Sequence, residues 1–139
     1  MIREARPGDR PELRAIRSVA LPEPSPGLLA AATDGPLVAY VADVGEVVGY
    51  AVVVGGDGTV AHLPELAVRP AHQGRGHGTR LLETLTDRLA GDYESLHVVV
   101  RVDQERVRAF YASRGFERVD RLPAHFETAD GLLLARRLG

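Results

Sequence analysis

Apolar and β-branched residues are concentrated in three consecutive runs in the first half of the chain. These runs are LVAYVAD at 37–43, EVVGYAVVVG at 46–55 and TVAHLPELAV at 59–68. Runs of this length that are rich in valine and bounded by glycine or aspartate predict β-strands. Gly45 separates the first two runs by a short turn, so we predict that they form an antiparallel hairpin.

Elsewhere the apolar positions recur every three to four residues, which is the period of an amphipathic helix. A first helix is predicted after residue 9, where Asp9 and Glu12 match the spacing of a capping box. A second is predicted over 76–90, where four leucines share one face. A third is predicted over 104–116, with Gly115 just beyond its last turn.

The remaining pattern completes one domain. Shorter β-rich runs at 2–6, 95–102, 116–119 and 132–137 predict four more strands. Prolines at positions 22, 24 and 26 predict a loop between the first helix and the hairpin. The predicted order is strand, helix, three strands, helix, strand, helix and two strands, which describes a single α+β domain over residues 1–139.

Composition narrows the chemistry mainly through missing residue types. The 139 residues include no cysteine, which excludes a thiolate nucleophile and cysteine-based zinc sites. All 17 basic residues are arginine, so the lysine of a nucleotide-binding P-loop is missing as well. The formal charge is −2, and no apolar run approaches the roughly 20 residues that span a bilayer. We therefore expect a cytoplasmic protein that binds neither nucleic acid nor membrane.

Three glycines, Gly74, Gly76 and Gly78, lie where the third long strand runs into the second predicted helix. Free N–H groups and the positive end of a helix dipole make such a turn an anion site, and missing Cβ atoms let a phosphate approach. A tight turn that needs left-handed dihedrals explains the glycines equally well. The dinucleotide pattern G-x-G-x-x-G is not met, because Thr79 occupies its third glycine position.

The wider motif resembles that of the GNAT acetyltransferase superfamily. Residues 73–78 read Q-x-x-G-x-G, after V-x-P and before a double leucine, and residues 110–116 read F-Y-x-x-x-G-F. The order of strands and helices is similar to that of the family over nearly the full length. The resemblance implies a GNAT-like mixed, mostly antiparallel sheet with helices on both faces and splayed central strands. It also implies acetyl-CoA as cosubstrate and no metal.

The resemblance assigns acetyl-CoA binding to three parts of the chain. The loop would hold the pyrophosphate through main-chain N–H groups, and the strand before it would bind pantetheine and polarise the thioester carbonyl. Gln104 stands where the family usually carries asparagine, and its longer amide still reaches a pantetheine oxygen. We expect His77 to contribute its main-chain N–H, with an exposed side chain. The implied binding residues are Leu66, Ala67, Val68, Gln73, Gly74, Arg75, Gly76, His77, Gly78, Thr79, Gln104 and Tyr111.

The same resemblance implies two catalytic residues. Glu65 resembles in position the carboxylate that many family members use as general base, and Tyr111 resembles their general acid. An alkylamine with a pKa near 10.4 is mostly protonated at pH 7, so amine acetylation needs such a base. The structural alternatives are a solvent-facing strand carboxylate and a core aromatic packed with Phe110 and Phe116. Pro64 cannot donate to a sheet ladder, which fits a bulge or an edge where the strands separate.

We expect the acceptor to be a primary amine of a small molecule or peptide, acetylated directly because no cysteine can hold the acetyl group. Its pocket is expected in the loops at 21–36 and 120–131. His125 in the second loop fits either an acceptor-site wall or a plain surface position. Acidic residues in these loops suit a cationic amine and equally suit solubility; they are Glu23, Asp34, Glu127 and Asp130.

Two other functional classes stay open. One is a non-catalytic acyl-CoA-binding or sensor module, which Gln104 in the asparagine position would favour. The other is a subunit whose activity depends on a partner, and a homodimer is among the expected assemblies. The histidines lack the i, i+4 helical pairing typical of zinc sites, so no metal is expected.

Overall fold

The computed structural model describes residues 1–21, 38–55 and 59–138. In this described part, seven strands and three α-helices follow one another in the predicted order. The predicted loop at 21–36 lies outside it except for its first residue, so Glu23 and Asp34 are not described. The strands are β1 (Ile2–Glu4), β2 (Val38–Asp43), β3 (Val47–Gly55), β4 (Val60–Val68), β5 (Ser95–Arg101), β6 (Glu117–Leu122) and β7 (Gly131–Arg137). The helices are α1 (Arg10–Ala20), α2 (His77–Leu89) and α3 (Glu105–Ser113).

The seven strands form one sheet in the order β1-β2-β3-β4-β5-β7-β6. All neighbouring strands are antiparallel except β4 and β5, which run parallel. The hairpin of β2 and β3 turns at Gly45, which has a φ of +101°. The expected mixed, mostly antiparallel sheet of an α+β protein is confirmed.

Each face of the sheet carries its own hydrophobic core. On one face, Leu13 and Ile16 of α1 pack with Tyr50 of β3. On the other face, Leu81 and Leu85 of α2 are fully buried. Burying a leucine side chain stabilises the fold by about 1.5–3 kcal/mol, so the periodic leucines fix which side of each helix meets the sheet. Helices on both faces are thereby confirmed, and none of the described helices is long and apolar enough to cross a membrane.

A β-bulge interrupts the pairing of β4 with β3. Leu63 and Pro64 together stand opposite the single residue Val53, which adds one residue to β4. A proline without an N–H donor is tolerated at such a position. The bulge shifts the alternation of side chains, so Leu63 belongs to the core beside α2, whereas Glu65 contacts Tyr50 on the α1 face. The bulge therefore decides which way Glu65 points.

β4 and β5 are paired only near their first residues. Three pairs join Val60–His62 of β4 to Ser95–His97 of β5. β4 then continues to Val68 and β5 to Arg101, but the two strands no longer pair with each other. The two strands therefore diverge towards their carboxyl ends, as expected of splayed central strands. The wedge that opens between them is the setting of the candidate site.

The start of α1 differs from the prediction. Asp9 is the N-cap residue but makes no side-chain cap bond; its carboxylate accepts hydrogen bonds from Arg3 at 2.8 and 3.0 Å and from the Arg6 N–H at 2.8 Å. Glu12 accepts a bond from the Val47 N–H at 3.2 Å. The predicted capping box of α1 is therefore wrong, because the Asp9 carboxylate is already occupied by the Arg3 guanidinium and the Arg6 N–H and Glu12 is bound to Val47.

Candidate active site

The connection between β4 and α2 turns through two glycines in the left-handed region. After a 3-10 turn at Pro70–His72, Gly74 has a φ of +78° and Gly76 a φ of +86°. α2 begins at the next residue, and Gly76 as its N-cap provides no side-chain hydrogen bond. The left-handed role of these glycines is confirmed. The same turn leaves the first N–H groups of α2 without a side-chain cap, which is the arrangement that binds anions.

Side chains within the loop bind its own main chain. The Gln73 amide donates to the Val68 carbonyl at 3.0 Å, and Arg80 donates to the Arg75 carbonyl at 3.3 Å. The Arg75 side chain is exposed and lines neither of the two cavities described below. Its predicted part in cosubstrate binding therefore depends on its main chain.

The His77 side chain is buried, with 7% of its surface exposed. A nitrogen of Arg80 lies 2.9 Å from Nδ1 of His77, and because a guanidinium only donates, Nδ1 accepts. Burial, assisted by the charge of Arg80, lowers the pKa of His77. The expectation of an exposed side chain is wrong. Its position four residues before Leu81 on the same helix face was the signal that indicated burial.

A cavity of about 590 Å³ lies between this loop and α3. A Cβ atom on Gly78 would lie 3.6 Å from the Phe110 ring, which is an ordinary contact distance, so Gly78 faces Phe110 of α3. The predicted residues that line the cavity are Leu66, Val68, Gln73, Gly74, Gly76, His77, Gly78, Thr79 and Tyr111. The structure thus brings most of the predicted binding residues to one concave surface.

Three residues of α3 and the residue that follows its end form the opposite wall, and none of them was predicted as a site residue: Arg106, Val107, Phe110 and Arg114. Arg114 donates to Oγ1 of Thr79 at 2.8 Å, and its guanidinium lies 5.6 Å from the centre of the Phe110 ring. The spacing of four between 106, 110 and 114 places these residues on one helix face, and this was the available signal. Arg106 and Arg114 bring positive charge to a cavity whose other wall offers main-chain N–H groups.

A second cavity of about 210 Å³ occupies the wedge between β4 and β5. Both cavities are lined by Leu66, Val68, Gln73, Val107 and Tyr111, so they adjoin. The other predicted residues, Glu65, Ala67 and Gln104, also line the wedge. Leu21 and Phe126, from the two loops expected to bind the acceptor, contribute to its wall.

Glu65 is the buried acid of the wedge, with 4% of its surface exposed. Its Oε1 accepts a hydrogen bond of 2.6 Å from the hydroxyl of the fully buried Tyr50. Its Oε2 lies 3.8 Å from Nε of Arg17 in α1. A solvent-facing strand carboxylate, the structural alternative, is contradicted by this burial.

Tyr111 lies in the core and also at the wall of the candidate site. Its ring packs edge-to-face between Phe110 and Phe116, with ring centres 5.2 Å from each, and it belongs to the core. It also lines both cavities. Burial raises the pKa of its hydroxyl well above the ordinary range, so the group carries its proton at neutral pH.

The loop between β6 and β7 is organised by Asp130. This carboxylate accepts hydrogen bonds from the Ala124 N–H at 2.8 Å and from Arg121 at 2.9 Å, and both bonds lower its pKa. Glu127 and His125 are exposed. The ring of His125 packs edge-to-face against the ring of Phe126. Asp130 therefore holds the conformation of the loop through these bonds, and Phe126 is the residue of the loop that lines the wedge.

Among the residues that the structure describes, no group of three or more histidine or acidic side chains is placed to hold a metal ion. His62 and His97 are cross-strand neighbours on β4 and β5, with ring centres 5.7 Å apart. Burial, together with His62, lowers the pKa of His97.

Comparison with known proteins identifies the class to which this fold and loop belong. The model of the acetyltransferase (GNAT) family matches residues 3–116. The chain therefore belongs to the GNAT acetyltransferase family.

Curated relatives match parts of the chain. An uncharacterized N-acetyltransferase of Mycobacterium tuberculosis is 36% identical over 89 residues, which are 60% of this chain and 56% of that protein. An uncharacterized protein of Mycobacterium leprae is 42% identical over 73 residues, covering 51% of this chain and 20% of that protein. The chain thus spans one fifth to little more than half of the length of these relatives.

Solved structures match the whole fold. The ribosomal-protein-S18-alanine N-acetyltransferase from Escherichia coli has a TM-score of 0.89 at 24% identity, covering 100% of this chain and 94% of that one. NAA60 from Arabidopsis thaliana, solved in complex with acetyl-CoA, has a TM-score of 0.88 at 16% identity, with 99% and 97% covered. At these identities the likeness establishes the fold.

Proposed function

We propose that the protein is an acetyl-CoA-dependent N-acetyltransferase that moves an acetyl group directly to a primary amine of a small molecule or peptide. The observation that carries the proposal is the pair of adjoining cavities that leads from the uncapped first turn of α2 to the buried Glu65. Membership of the family, relatives named N-acetyltransferases and a structural neighbour solved with acetyl-CoA support it.

The residues of the first cavity fit acetyl-CoA. Main-chain N–H groups over 73–79, at the positive end of the α2 dipole, complement a pyrophosphate without any lysine. Arg106 and Arg114 on the opposite wall add positive charge that suits the remaining phosphate. Leu66 and Val68 offer an apolar surface towards the wedge, as a pantetheine arm requires. When bound, acetyl-CoA supplies the acyl group as a thioester.

The chain's own residues provide the proton transfers. Glu65 accepts a proton from the amine, either directly or through one water, so that the amine becomes a nucleophile. Successive main-chain N–H groups of β4 alternate in direction, and those of Leu66 and Val68 turn away from β3 beyond the last pair with β5, where they stabilise negative charge on the acyl oxygen. Tyr111, which holds its proton, donates it to the departing thiolate. No step needs a covalent acyl-protein stage.

We place the acceptor amine at the end of the wedge formed by α1 and the β6–β7 loop. Leu21 and Phe126 line this end, and Glu65 offers the charge that attracts an ammonium group. The Escherichia coli neighbour is named for an alanine of ribosomal protein S18. Peptides that begin with alanine therefore belong in the acceptor panel, beside amino acids, polyamines and aminoglycosides.

An acceptor screen with a catalytic variant tests the proposal. Release of free coenzyme A and mass of the acetylated product are measured across the panel for the parent and for Glu65→Gln. We expect Glu65→Gln to lower kcat by about 10²–10⁴-fold, the usual contribution of general acid–base catalysis, with unchanged affinity for acetyl-CoA. Glu83→Gln, an exposed change on α2, serves as the matched control and keeps full activity.

The screen also separates the other functional classes. Tight binding of acetyl-CoA without turnover across the whole panel would contradict direct transfer by this chain and favour a sensor. Activity that appears only with a protein recovered from lysate would favour a partner-dependent subunit. Size-exclusion chromatography of the active protein tests the expected homodimer.

A further inference from the structure

Tyr50 and Glu65 form a buried polar pair on the α1 face of the sheet. Tyr50 has 0% and Glu65 4% of its surface exposed, and the hydroxyl lies 2.6 Å from Oε1. A bond this short is typical of a hydroxyl that donates to a charged carboxylate. The surrounding core beside α1 is apolar, with Leu13 and Ile16 fully buried. A tyrosine hydroxyl buried in such a core needs a hydrogen-bond partner, and Glu65 is that partner.

The sheet brings these two side chains together. Glu65 pairs with Val52 across the β3–β4 ladder, and Tyr50 pairs with Ala67, two residues further along. Tyr50 and Glu65 are therefore diagonal neighbours on one face, a distance that a tyrosine spans. The bulge at Leu63 and Pro64 precedes this register and places Glu65 on the same face as Tyr50.

Two donor groups face Glu65 from different elements. Tyr50 faces the carboxylate from β3 and Arg17 faces it from α1, with Nε 3.8 Å from Oε2. Arg101 from β5 and Tyr111 from α3 line the same cavity. Burial and the neighbouring carboxylate raise the pKa of Tyr50, so its hydroxyl stays protonated and donates. The Tyr50 hydroxyl is therefore a fixed donor against Oε1 of Glu65.

We propose that Tyr50 is a positioning residue of the transfer reaction, whose hydroxyl fixes the Glu65 carboxylate at the wedge. The inference rests on the proposed function, in which Glu65 accepts a proton from the amine. A general base must lie within hydrogen-bond reach of the proton that it accepts. Tyr50 thus holds the carboxylate where that reach is possible.

Tyr50→Phe tests the inference, because it removes the hydroxyl and keeps the ring. We expect kcat to fall by about tenfold, because a carboxylate released from the hydroxyl is less often in the position that proton transfer needs. Affinity for acetyl-CoA, measured by calorimetry, is expected to stay within twofold. Tyr40→Phe is the matched control: Tyr40 is also a buried strand tyrosine, but it lies in the core on the α2 face.

The outcomes separate the two proposals. If Glu65→Gln lowers kcat while Tyr50→Phe keeps the kcat of the parent, Tyr50 is not a positioning residue and the proposed function stands. A parent-like kcat in Glu65→Gln contradicts the base itself, and the positioning role falls with it. A lower kcat in Tyr50→Phe but not in Tyr40→Phe supports the inference.

A spectroscopic comparison needs no acceptor, and its Glu65→Gln arm needs no Tyr50 variant. The ¹³Cζ NMR signal of Tyr50 is expected to move in Glu65→Gln, and the ¹³Cδ signal of Glu65 to move in Tyr50→Phe. The signals of Tyr40 are expected to stay unchanged in Glu65→Gln. Unmoved Tyr50 and Glu65 signals would overturn the inference even if no amine were accepted.

Discussion

Glu65 and Tyr111 line one wedge but have opposite surroundings. Glu65 accepts a hydrogen bond from the Tyr50 hydroxyl and lies 3.8 Å from the Arg17 guanidinium. Tyr111 is packed between two phenylalanine rings, and burial raises its pKa, so its neutral form is stabilised. A carboxylate held by donor groups suits the acceptor of a proton, and a tyrosine that keeps its proton suits the donor.

Tyr111→Phe is expected to lower kcat by about tenfold, because the departing thiol has a pKa near 8.5 and leaves slowly without an acid. The ring keeps its packing, so the midpoint of thermal unfolding and the affinity for acetyl-CoA should change little. Steady-state kinetics and calorimetry check both statements. An unchanged kcat would return Tyr111 to a purely structural role.

His77 gives the fold a pH dependence whose sign follows from its lowered pKa. The folded pKa lies below the unfolded value, so the unfolded chain binds the proton first. The stability that His77 contributes is therefore complete above about pH 6.5 and decreases as the pH falls through the folded pKa. Urea unfolding at pH 7.5 and pH 5.5 should show a smaller loss in His77→Gln than in the parent. The exposed His125→Gln should show the parent's loss, and equal losses in all three proteins would contradict the prediction.

At the scale of elements, the loop before α2 combines backbone conformation with anion binding. Gly76→Ala should lower the free energy of unfolding by about 1–2 kcal/mol, because a left-handed residue with a Cβ is strained. The added Cβ would also lie 3.0 Å from Nη1 of Arg80, which must move. Gly91→Ala is the control, since Gly91 follows the same helix, lacks a positive φ and has open space around it. Chemical denaturation of both variants checks the difference, and equal stabilities would contradict the prediction.

The helices and strands were predictable where one physical signal dominates. Leucines at helical spacing gave α2 to within a residue at each end, and the valine-rich runs gave β2, β3 and β4. Local polar patterns failed where a distant partner competes: Asp9 binds Arg3 rather than capping α1. The cavity wall on α3 was missed because its arginines resemble any exposed helix face until α2 is packed beside it.

At the scale of the whole molecule, the bulge and the splay connect the fold to the site. Periodicity predicts strands but gives no distance between β4 and β5, and the splay was expected only from the resemblance to the family. Pro64 was the one local signal for it. The contact of Glu65 with Tyr50 and Arg17 depends on packing between α1, β3 and β4, which residues far apart in sequence create together. For the acceptor end of the wedge, the sequence indicated only that the loops at 21–36 and 120–131 would form it.

The most direct test of the account is a crystal structure of the protein with acetyl-CoA. The account predicts the pyrophosphate at the main-chain N–H groups of residues 73–79 and the acetyl group in the wedge between β4 and β5, on the side of Glu65. A matched crystal of Gly76→Glu, with bulk and negative charge at the loop, should contain no acetyl-CoA. Acetyl-CoA bound in any other place, or bound equally by Gly76→Glu, would contradict the account.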